Sequence, residues 1–333
     1  MIINFVGNYQ NGYVGEISDE THLAREIEKL GHTVRRIPRD EWREYVIESY
    51  PEEKYPHIPA DLKADINIIA KWHHFYDGSF IKALKEKSGA PVFYWVWDFM
   101  YDQGFPEWHV KMAQEADLYL SGEGGIASEY IKLGIKPYYF QFDVCDGSLK
   151  TYHYQNPYTH NVVFTGSYLG QGHRIEWLKK INEAVPVTVY SWNYEEWKKV
   201  GITDVHPAVY GDEYNKLVSG SRITLGFSVE PNCWGYWSNR VGKVLQAGGF
   251  LLQEFAPGME TQLGSLPEYF SSPEEAIEKI KYWLDDRNFP RLEVVKWNNK
   301  TMCRLTSKDR VSQLMILCER YLKGTPSKWN KLP

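Results

Sequence analysis

The sequence predicts an α/β protein of two doubly wound parallel-sheet domains facing across a cleft. Three observations carry this. Short apolar runs alternate with amphipathic segments of helical period, the pattern of a parallel sheet with helices on both faces. The alternation breaks once, in a polar stretch without period between Asp143 and His160, and then restarts; such a stretch reads as a linker. The 333 residues also exceed the roughly 250–300 at which a single core stops growing. The expected division is a first domain over 1–150, a second over 151–310 and a C-terminal helix and tail over 311–333.

The elements follow in order. IINFVG at the start is a strand, a Gly-rich loop GNYQNGYVG comes next, and SDETHLAREIEKLG is an amphipathic helix that stops at Gly31. HTVRRIP and INIIAKW read as strands, SFIKALKEKSG as a helix stopped by Gly89, and PVFYWVWD as a strand buried on both faces, since it is apolar at almost every position. EWHVKMAQEA, LYLSG, GGIASEYIKLG and KPYYFQF continue the alternation. NVVFTGS opens the second series, followed by a Gly-rich turn GSYLGQGHR, the helix EWLKKINEA, the strand VTVYSW, then DEYNKLVSGS and RITLGFS. SNRVGKVLQAGGFLL, from Ser238 to Leu252, is a short cationic helix, a Gly-Gly turn and a buried strand; SPEEAIEKIKYWLDD and DRVSQLMILCERYLKG are later helices.

Composition narrows the class. With 43% hydrophobic and 24% charged residues the chain is an ordinary globular protein, and no apolar run approaches the ~20 residues of a membrane span. The chain opens directly on a strand, so no targeting leader is expected. Cys145, Cys233, Cys303 and Cys318 form no CxxC pair, so neither a zinc site nor a disulfide framework is indicated, and a reduced, cytoplasmic location is expected. The pair His73-His74 points to opposite faces of a strand and makes a poor metal clamp. The net charge of -5 argues against a surface devoted to nucleic acid. The 13 Trp and 24 Tyr suit clefts that stack on sugars or bases, and suit cores as well.

Two features bear on function. Arg240 and Lys243 are three residues apart, so they share one face of the cationic helix beside a loop, EPNCWGYWSN, rich in pocket-forming groups. That arrangement suits a diphosphate, and equally a solvated face. Gly166 and Ser167 form a strand-to-helix turn with Arg174 behind it; backbone N–H groups left free at such a turn bind phosphate, or the turn is only a tight connection.

From Asn161 to about Leu317 the chain resembles the CgeB-like (spore-maturation-type) glycosyltransferases of the GT-B superfamily, glycosyl transferases group 1. The resemblance rests on NVVFTGS with Arg174 behind it, DEYNKLVSGSRITLGFS, SNRVGKVLQAGGFLL, FAPGMETQLG, YFSSPEEAIEKIKYWLDD and TSKDR, in order and spacing. In the first half, the opening loop, THLAREIEKLGH, and YWVWD followed by EADLYLSG are similar to the acceptor domain of such enzymes. The resemblance implies two Rossmann-like domains, the second holding a nucleotide-diphosphate sugar and the first a hydroxyl acceptor. It implies no bound cofactor and no metal, so the leaving diphosphate would be met by Arg174 and Arg240. Val209 and Tyr210 would contact the base, with Trp192 as a wall, each with a core role as the alternative. Asn232, Trp234 and Tyr236 would face the sugar. The final helix would cross back to brace the first domain.

One place departs from the family. Where many GT-B enzymes carry a ribose-binding glutamate and, eight positions earlier, an acidic residue near the sugar, this chain has Lys243 and Gly235. Lysine cannot accept a hydrogen bond from a hydroxyl, so ribose recognition differs or Lys243 reaches the phosphates. On the acceptor side, His22 stands in the first turn of the first helix, where inverting enzymes of similar fold place a base, and Asp98, at the end of the strand FYWVWD, would orient His22 or act as the base itself. The alternatives are a helix residue packed on the loop for His22 and a helix cap for Asp98; His73 and Asp102 are weaker candidates. Trp95 and Trp97 read as core.

The function expected is transfer of a sugar to a hydroxyl of a glycan, a protein, a small molecule or a modified base in DNA, the last disfavoured by the acidic net charge. A non-catalytic two-lobed nucleotide- or sugar-binding protein is the alternative, though it has no need for two cations beside a phosphate turn. A nicotinamide-dependent oxidoreductase fits less well, because GNYQNGYVG lacks the GxGxxG spacing.

Overall fold

A computed structural model describes residues 1–9, 18–38, 62–70, 77–100, 104–141, 160–168 and 173–324. Most of the opening Gly-rich loop, the linker, the tail, His73, Asp102 and Cys145 lie outside the described residues. The chain forms two units: Met1–Phe142 with Cys233–Gly235 and Ser307–Pro333, and Asp143–Asn232 with Tyr236–Thr306.

In the first unit the chain runs β1 (Ile2–Gly7), α1 (Asp19–Lys29), β2 (Thr33–Pro38), β3 (Ile66–Ala70), α2 (Gly78–Ser88), β4 (Val92–Val96), α3 (Glu107–Glu115), β5 (Leu118–Ser121), α4 (Ala127–Lys132) and β6 (Pro137–Tyr139). The strands form a parallel sheet of order β2-β1-β3-β4-β5-β6. Every residue of β3 and β4 is buried, as a strand covered by helices on both faces requires. Ser18 caps α1 by accepting the Thr21 N–H at 3.1 Å, and Asp77 caps α2 by accepting that of Ser79 at 2.8 Å; each side chain satisfies a donor that has no partner in the helix. Trp95 and Trp97 are core residues, their rings 5.2 Å apart. His109 is buried between Tyr94 and Tyr119, its nitrogens 3.1 and 3.3 Å from their hydroxyls. Burial pushes its imidazole down to about 3, so it serves as a neutral core group.

In the second unit the order is β7 (Val162–Thr165), α5 (His173–Ala184), β8 (Thr188–Ser191), α6 (Tyr194–Lys199), β9 (Val205–Pro207), α7 (Gly211–Gly220), β10 (Ile223–Gly226), α8 (Arg240–Gln246), β11 (Leu251–Glu254), α9 (Met259–Leu263), β12 (Glu268–Phe270), α10 (Pro273–Leu284) and α11 (Phe289–Met302). Its parallel sheet runs β12-β11-β10-β7-β8-β9. The order reverses between β7 and β10, and ligands of such sheets bind outside the carboxyl ends of the strands at that point. α8 stops at Gly248, which takes φ +79°, and Gly249 has no room for a side chain, because a Cβ would lie 2.7 Å from Val244 Cγ1 and 3.0 Å from the Val218 carbonyl oxygen. The last helix, α12 (Ser307–Leu322), belongs to the first unit, where it packs on α1 and sets the Tyr321 ring 5.1 Å from Phe93.

Lys296 on α11 is fully buried. Its ammonium donates to the carbonyls of Ser219 and Ser221 at 2.5 and 3.2 Å, at the end of α7 where helical carbonyls lack partners. Asn299 on the same helix donates to the Gly249 carbonyl at 3.3 Å, so α11 ties both turns that flank β10 and β11. Burial lowers the Lys296 ammonium to about 8, against about 10.4 for an unfolded lysine. Between these values the unfolded chain binds more protons than the folded one, so this residue's contribution to stability rises with pH. Wild type is therefore predicted to gain about 2 kcal/mol on Lys296→Met between pH 7 and 10, with a flat difference below pH 7; urea denaturation of both proteins across that range measures it.

Candidate functional site

Three strand ends and two helix starts meet at the reversal point of the second sheet. β7 ends in Thr165 and leads into Gly166 and Ser167; β10 leads into Phe227 and Ser228; β11 ends in Glu254. α5 brings His173 and Arg174 in its first turn, and α8 begins with Arg240. The sheet order alone thus converges residues scattered over ninety positions.

Arg174 is buried, and its Nη1 donates to the Ser167 carbonyl at 3.4 Å. Burial, and then the charge of Arg240, lower its guanidinium to about 10, while Glu254 and Tyr236 pull the other way. Arg240 is half-buried and is also lowered by burial, with Tyr214 and Tyr236 opposing. Among the described residues neither arginine has a carboxylate within salt-bridge distance. Lys243, one turn further along α8, is half-buried and lies near enough to act on the Tyr214 hydroxyl. Two desolvated cations that repel each other and lack an ion-pair partner form a site shaped for an anion.

Glu254 balances part of this charge. It is buried at 2% exposure; one carboxylate oxygen accepts the Ser228 N–H at 3.0 Å, and the other lies 2.6 Å from His173 Nε2. The imidazole contact is close but poorly aligned for a hydrogen bond. Arg174 Nε and the Ser228 hydroxyl are buried without a hydrogen-bond partner among the described residues. Buried orphans of this kind are uncommon and mark places where something else completes the bonding.

The described start of the Gly-rich turn, Gly166–Tyr168, offers fewer donors than its sequence suggested. Gly166 N–H is taken by the Tyr190 carbonyl at 3.0 Å and Tyr168 N–H by the Asn193 side chain at 2.8 Å. Ser167 N–H has no partner among the described residues. Beyond β8, Trp192 is 70% exposed with Tyr210 beside it, the ring centroids 5.0 Å apart, which removes the core alternative for Trp192. Val209 and Tyr210 are half-buried, and burial raises the Tyr210 hydroxyl to about 12.

The loop before α8 divides its residues. Asn232 is exposed and Tyr236 buried near the arginines. Trp234 belongs to the first unit, where Gly125 N–H donates to its carbonyl at 2.8 Å, its ring sits 5.0 Å from Tyr139, and a Cβ on Gly124 would lie 2.5 Å from it. In the first unit, His22 occupies the first turn of α1, just past β1, and Asp98 lies two residues beyond β4, both half-buried at the carboxyl edge of that sheet. Among the described residues no group of three or more His, Cys, Asp or Glu is arranged to hold a metal ion, and no helix is long and apolar enough to cross a membrane.

His173, Asn193, Ser228 and Glu254 were not singled out from the sequence. For Glu254 a signal exists: GFLLQEF ends a strand buried throughout in a carboxylate, and a buried carboxylate needs partners.

Comparison with known proteins agrees with this architecture. Residues 173–316 match the model of a family described as glycosyl transferase-like. No curated protein matches the chain in sequence. Among solved structures, sucrose-phosphate synthase from Thermosynechococcus elongatus is similar at TM-score 0.68 and 10% identity, covering 97% of this chain and 99% of that one. An alpha-glucosyltransferase in complex with UDP and a 13-mer DNA containing a HMU base is similar at 0.66 and 11%, covering 96% and 99%. Anabaena HepE in complex with UDP-glucose is similar at 0.61 and 12%, covering 96% and 99%. Likenesses at such identities define the fold, and that fold is GT-B: two Rossmann-like units, each a six-stranded parallel sheet flanked by helices.

The charge arrangement has a thermodynamic consequence. Replacing Glu254 by Gln keeps an acceptor for the Ser228 N–H and removes the negative charge. In a double-mutant cycle with Arg174→Met, the two changes are expected to couple by about 1–3 kcal/mol in unfolding free energy, the loss from Glu254→Gln being smaller once Arg174 is gone; additive losses would place the carboxylate outside the arginines' field.

Proposed function

We propose that the protein is a glycosyltransferase that moves a sugar from a nucleotide-diphosphate sugar to an acceptor hydroxyl. The observation that carries this is the pair Arg174 and Arg240, desolvated and without carboxylate partners among the described residues, at the reversal point of the second sheet. A diphosphate leaving group gains negative charge as the bond to the anomeric carbon breaks. Fixed cations in a low-dielectric place stabilise that charge more in the transition state than in the bound donor. The family match over residues 173–316 and the nucleotide-bound structures of similar fold support the same reading. In it the leaving group needs no metal, the subtype is CgeB-like, and Lys243 adds a third positive charge within reach of the phosphates.

Trp192 and Tyr210 form the base platform in this proposal, Val209 adding backbone contacts, and Ser167 N–H meets a phosphate oxygen. Asn232 and Tyr236 are the sugar contacts; the place of Trp234 against Gly124, Gly125 and Tyr139 supports a structural part for it. The first unit supplies the acceptor side. In an inverting reaction His22, oriented by Asp98, takes the proton from the acceptor hydroxyl as its oxygen bonds to the anomeric carbon and the diphosphate departs. The acceptor is a glycan, protein or small-molecule hydroxyl ahead of a modified DNA base, the net charge of -5 weighing against the last. A cytoplasmic location belongs to the same proposal, and the buried cysteines Cys233, Cys303 and Cys318, which form no disulfide among the described residues, suit a reducing compartment.

Calorimetric titration with UDP-, GDP-, ADP- and dTDP-sugars in the absence of metal identifies the donor, and mass spectrometry of the products identifies what is glycosylated. Arg174→Ala and Arg240→Ala are each expected to lower kcat/KM on the order of a hundredfold to a thousandfold while leaving the thermal midpoint unchanged or raised, because each removes a desolvated charge. Full activity in either variant would take that residue out of the site. His22→Ala abolishes turnover if the product is inverted at the anomeric carbon and spares it if configuration is retained.

A further inference from the structure

We infer that Asn193 is a positioning residue for the phosphate turn, leaving the Ser167 N–H as the one backbone donor of Gly166–Tyr168 that faces a ligand. The inference rests on the donor-site reading above. Asn193 follows β8 and is no part of the turn, yet its side chain grips Tyr168 from both sides: Tyr168 N–H donates to Oδ1 at 2.8 Å, and Nδ2 donates to the Tyr168 carbonyl at 2.8 Å. A carboxamide offers a peptide-like donor and acceptor in one plane, so this contact extends the β7–β8 pairing by one side-chain rung. The Ser191 hydroxyl donates to the same Oδ1 at 2.9 Å, and the Tyr168 N–H and carbonyl, one only a donor and the other only an acceptor, fix which end of the carboxamide is oxygen.

The neighbouring bonds complete the effect. Gly166 N–H continues the sheet to the Tyr190 carbonyl at 3.0 Å, and Arg174 holds the Ser167 carbonyl at 3.4 Å. The Tyr168 ring stands edge-on to Trp197 at 5.1 Å. The N–H groups of Gly166 and Tyr168 and the carbonyls of Ser167 and Tyr168 are thus tied back into the protein, and among the described residues the Ser167 N–H is the backbone donor of this stretch left without a partner. Asn193 therefore acts on a ligand through the orientation of the turn, without touching it. Aspartate is nearly isosteric but loses the Nδ2 donor and adds a negative charge beside a site for an anion. Alanine loses both bonds.

The test uses the full-length protein and the variants Asn193→Asp and Asn193→Ala. Wild type is titrated by calorimetry with UDP, GDP, ADP and dTDP, and the tightest of these is carried forward with its own nucleoside; unliganded thermal midpoints are recorded alongside. The expected result is an affinity for the diphosphate lowered about tenfold in Asn193→Ala and further in Asn193→Asp, with nucleoside affinity and thermal midpoint close to wild type. Unchanged diphosphate affinity in both variants overturns the inference, as does an equal weakening of diphosphate and nucleoside, which marks a merely structural residue. Failure of wild type to bind any of the four overturns the donor-site reading itself, and the inference with it.

Discussion

The second unit is organised around a cost: two guanidinium groups held close together in a largely desolvated place, with the buried carboxylate of Glu254 acting on Arg174 and no ion pair to either among the described residues. Nothing in folding rewards that arrangement, since burial and mutual repulsion both lower Arg174. What holds it is the sheet. β7, β10 and β11 end side by side, and Ser167 and Ser228, past the first two, and Glu254, the last residue of β11, lie at the edge to which parallel strands with crossover helices return the first turns of α5 and α8. A cost of this kind is kept where an anion repays it, and in the proposed function that anion is a nucleotide diphosphate.

The strands and turns that reach that edge are anchored elsewhere in the unit, those of β10 and β11 at their opposite, amino ends. Lys296 and Asn299 on α11 satisfy carbonyls at Ser219, Ser221 and Gly249, the turns into β10 and β11. Asn193 does the same for the turn after β7. The cations are therefore carried on elements whose ends are fixed by hydrogen bonds, which is what preorganised stabilisation of a developing charge needs. Ordering these groups beforehand costs folding stability and spares that cost at the moment of reaction.

Much of this was legible in the sequence. PVFYWVWD, IINFVG and RITLGFS are apolar enough, and far enough from their neighbours, to be read as buried strands of a parallel sheet, and Gly31 and Gly89 mark helix stops. In the sequence Arg240 suits a diphosphate and equally a solvated face, and Arg174 a phosphate turn or a tight connection; their burial and convergence on one edge of the sheet were not legible from spacing. The edge strands Val205–Pro207 and Glu268–Phe270 are three residues long and carry no period of their own. α11 escaped notice because its apolar residues encircle the axis, Val294 and Trp297 being exposed while Lys296 is buried. Asn193 and Glu254 act through bonds to residues 25 or more positions away in sequence, so spacing carries no trace of them; neither does it reveal that Gly166 N–H is already used within the sheet. The resemblance made Trp234 a sugar-facing residue, and its packing against Gly124 and Tyr139 is a tertiary fact that spacing does not carry.

The central claim is that Arg174 and Arg240 hold the diphosphate of a sugar nucleotide at the reversal point of the second sheet. A crystal structure of the protein with the nucleoside diphosphate it binds most tightly tests this most directly. The account predicts phosphate oxygens bonded to both guanidinium groups and to the Ser167 N–H, with the base against Trp192 and Tyr210. A nucleotide bound at another edge of the fold, with both arginines untouched, would contradict it.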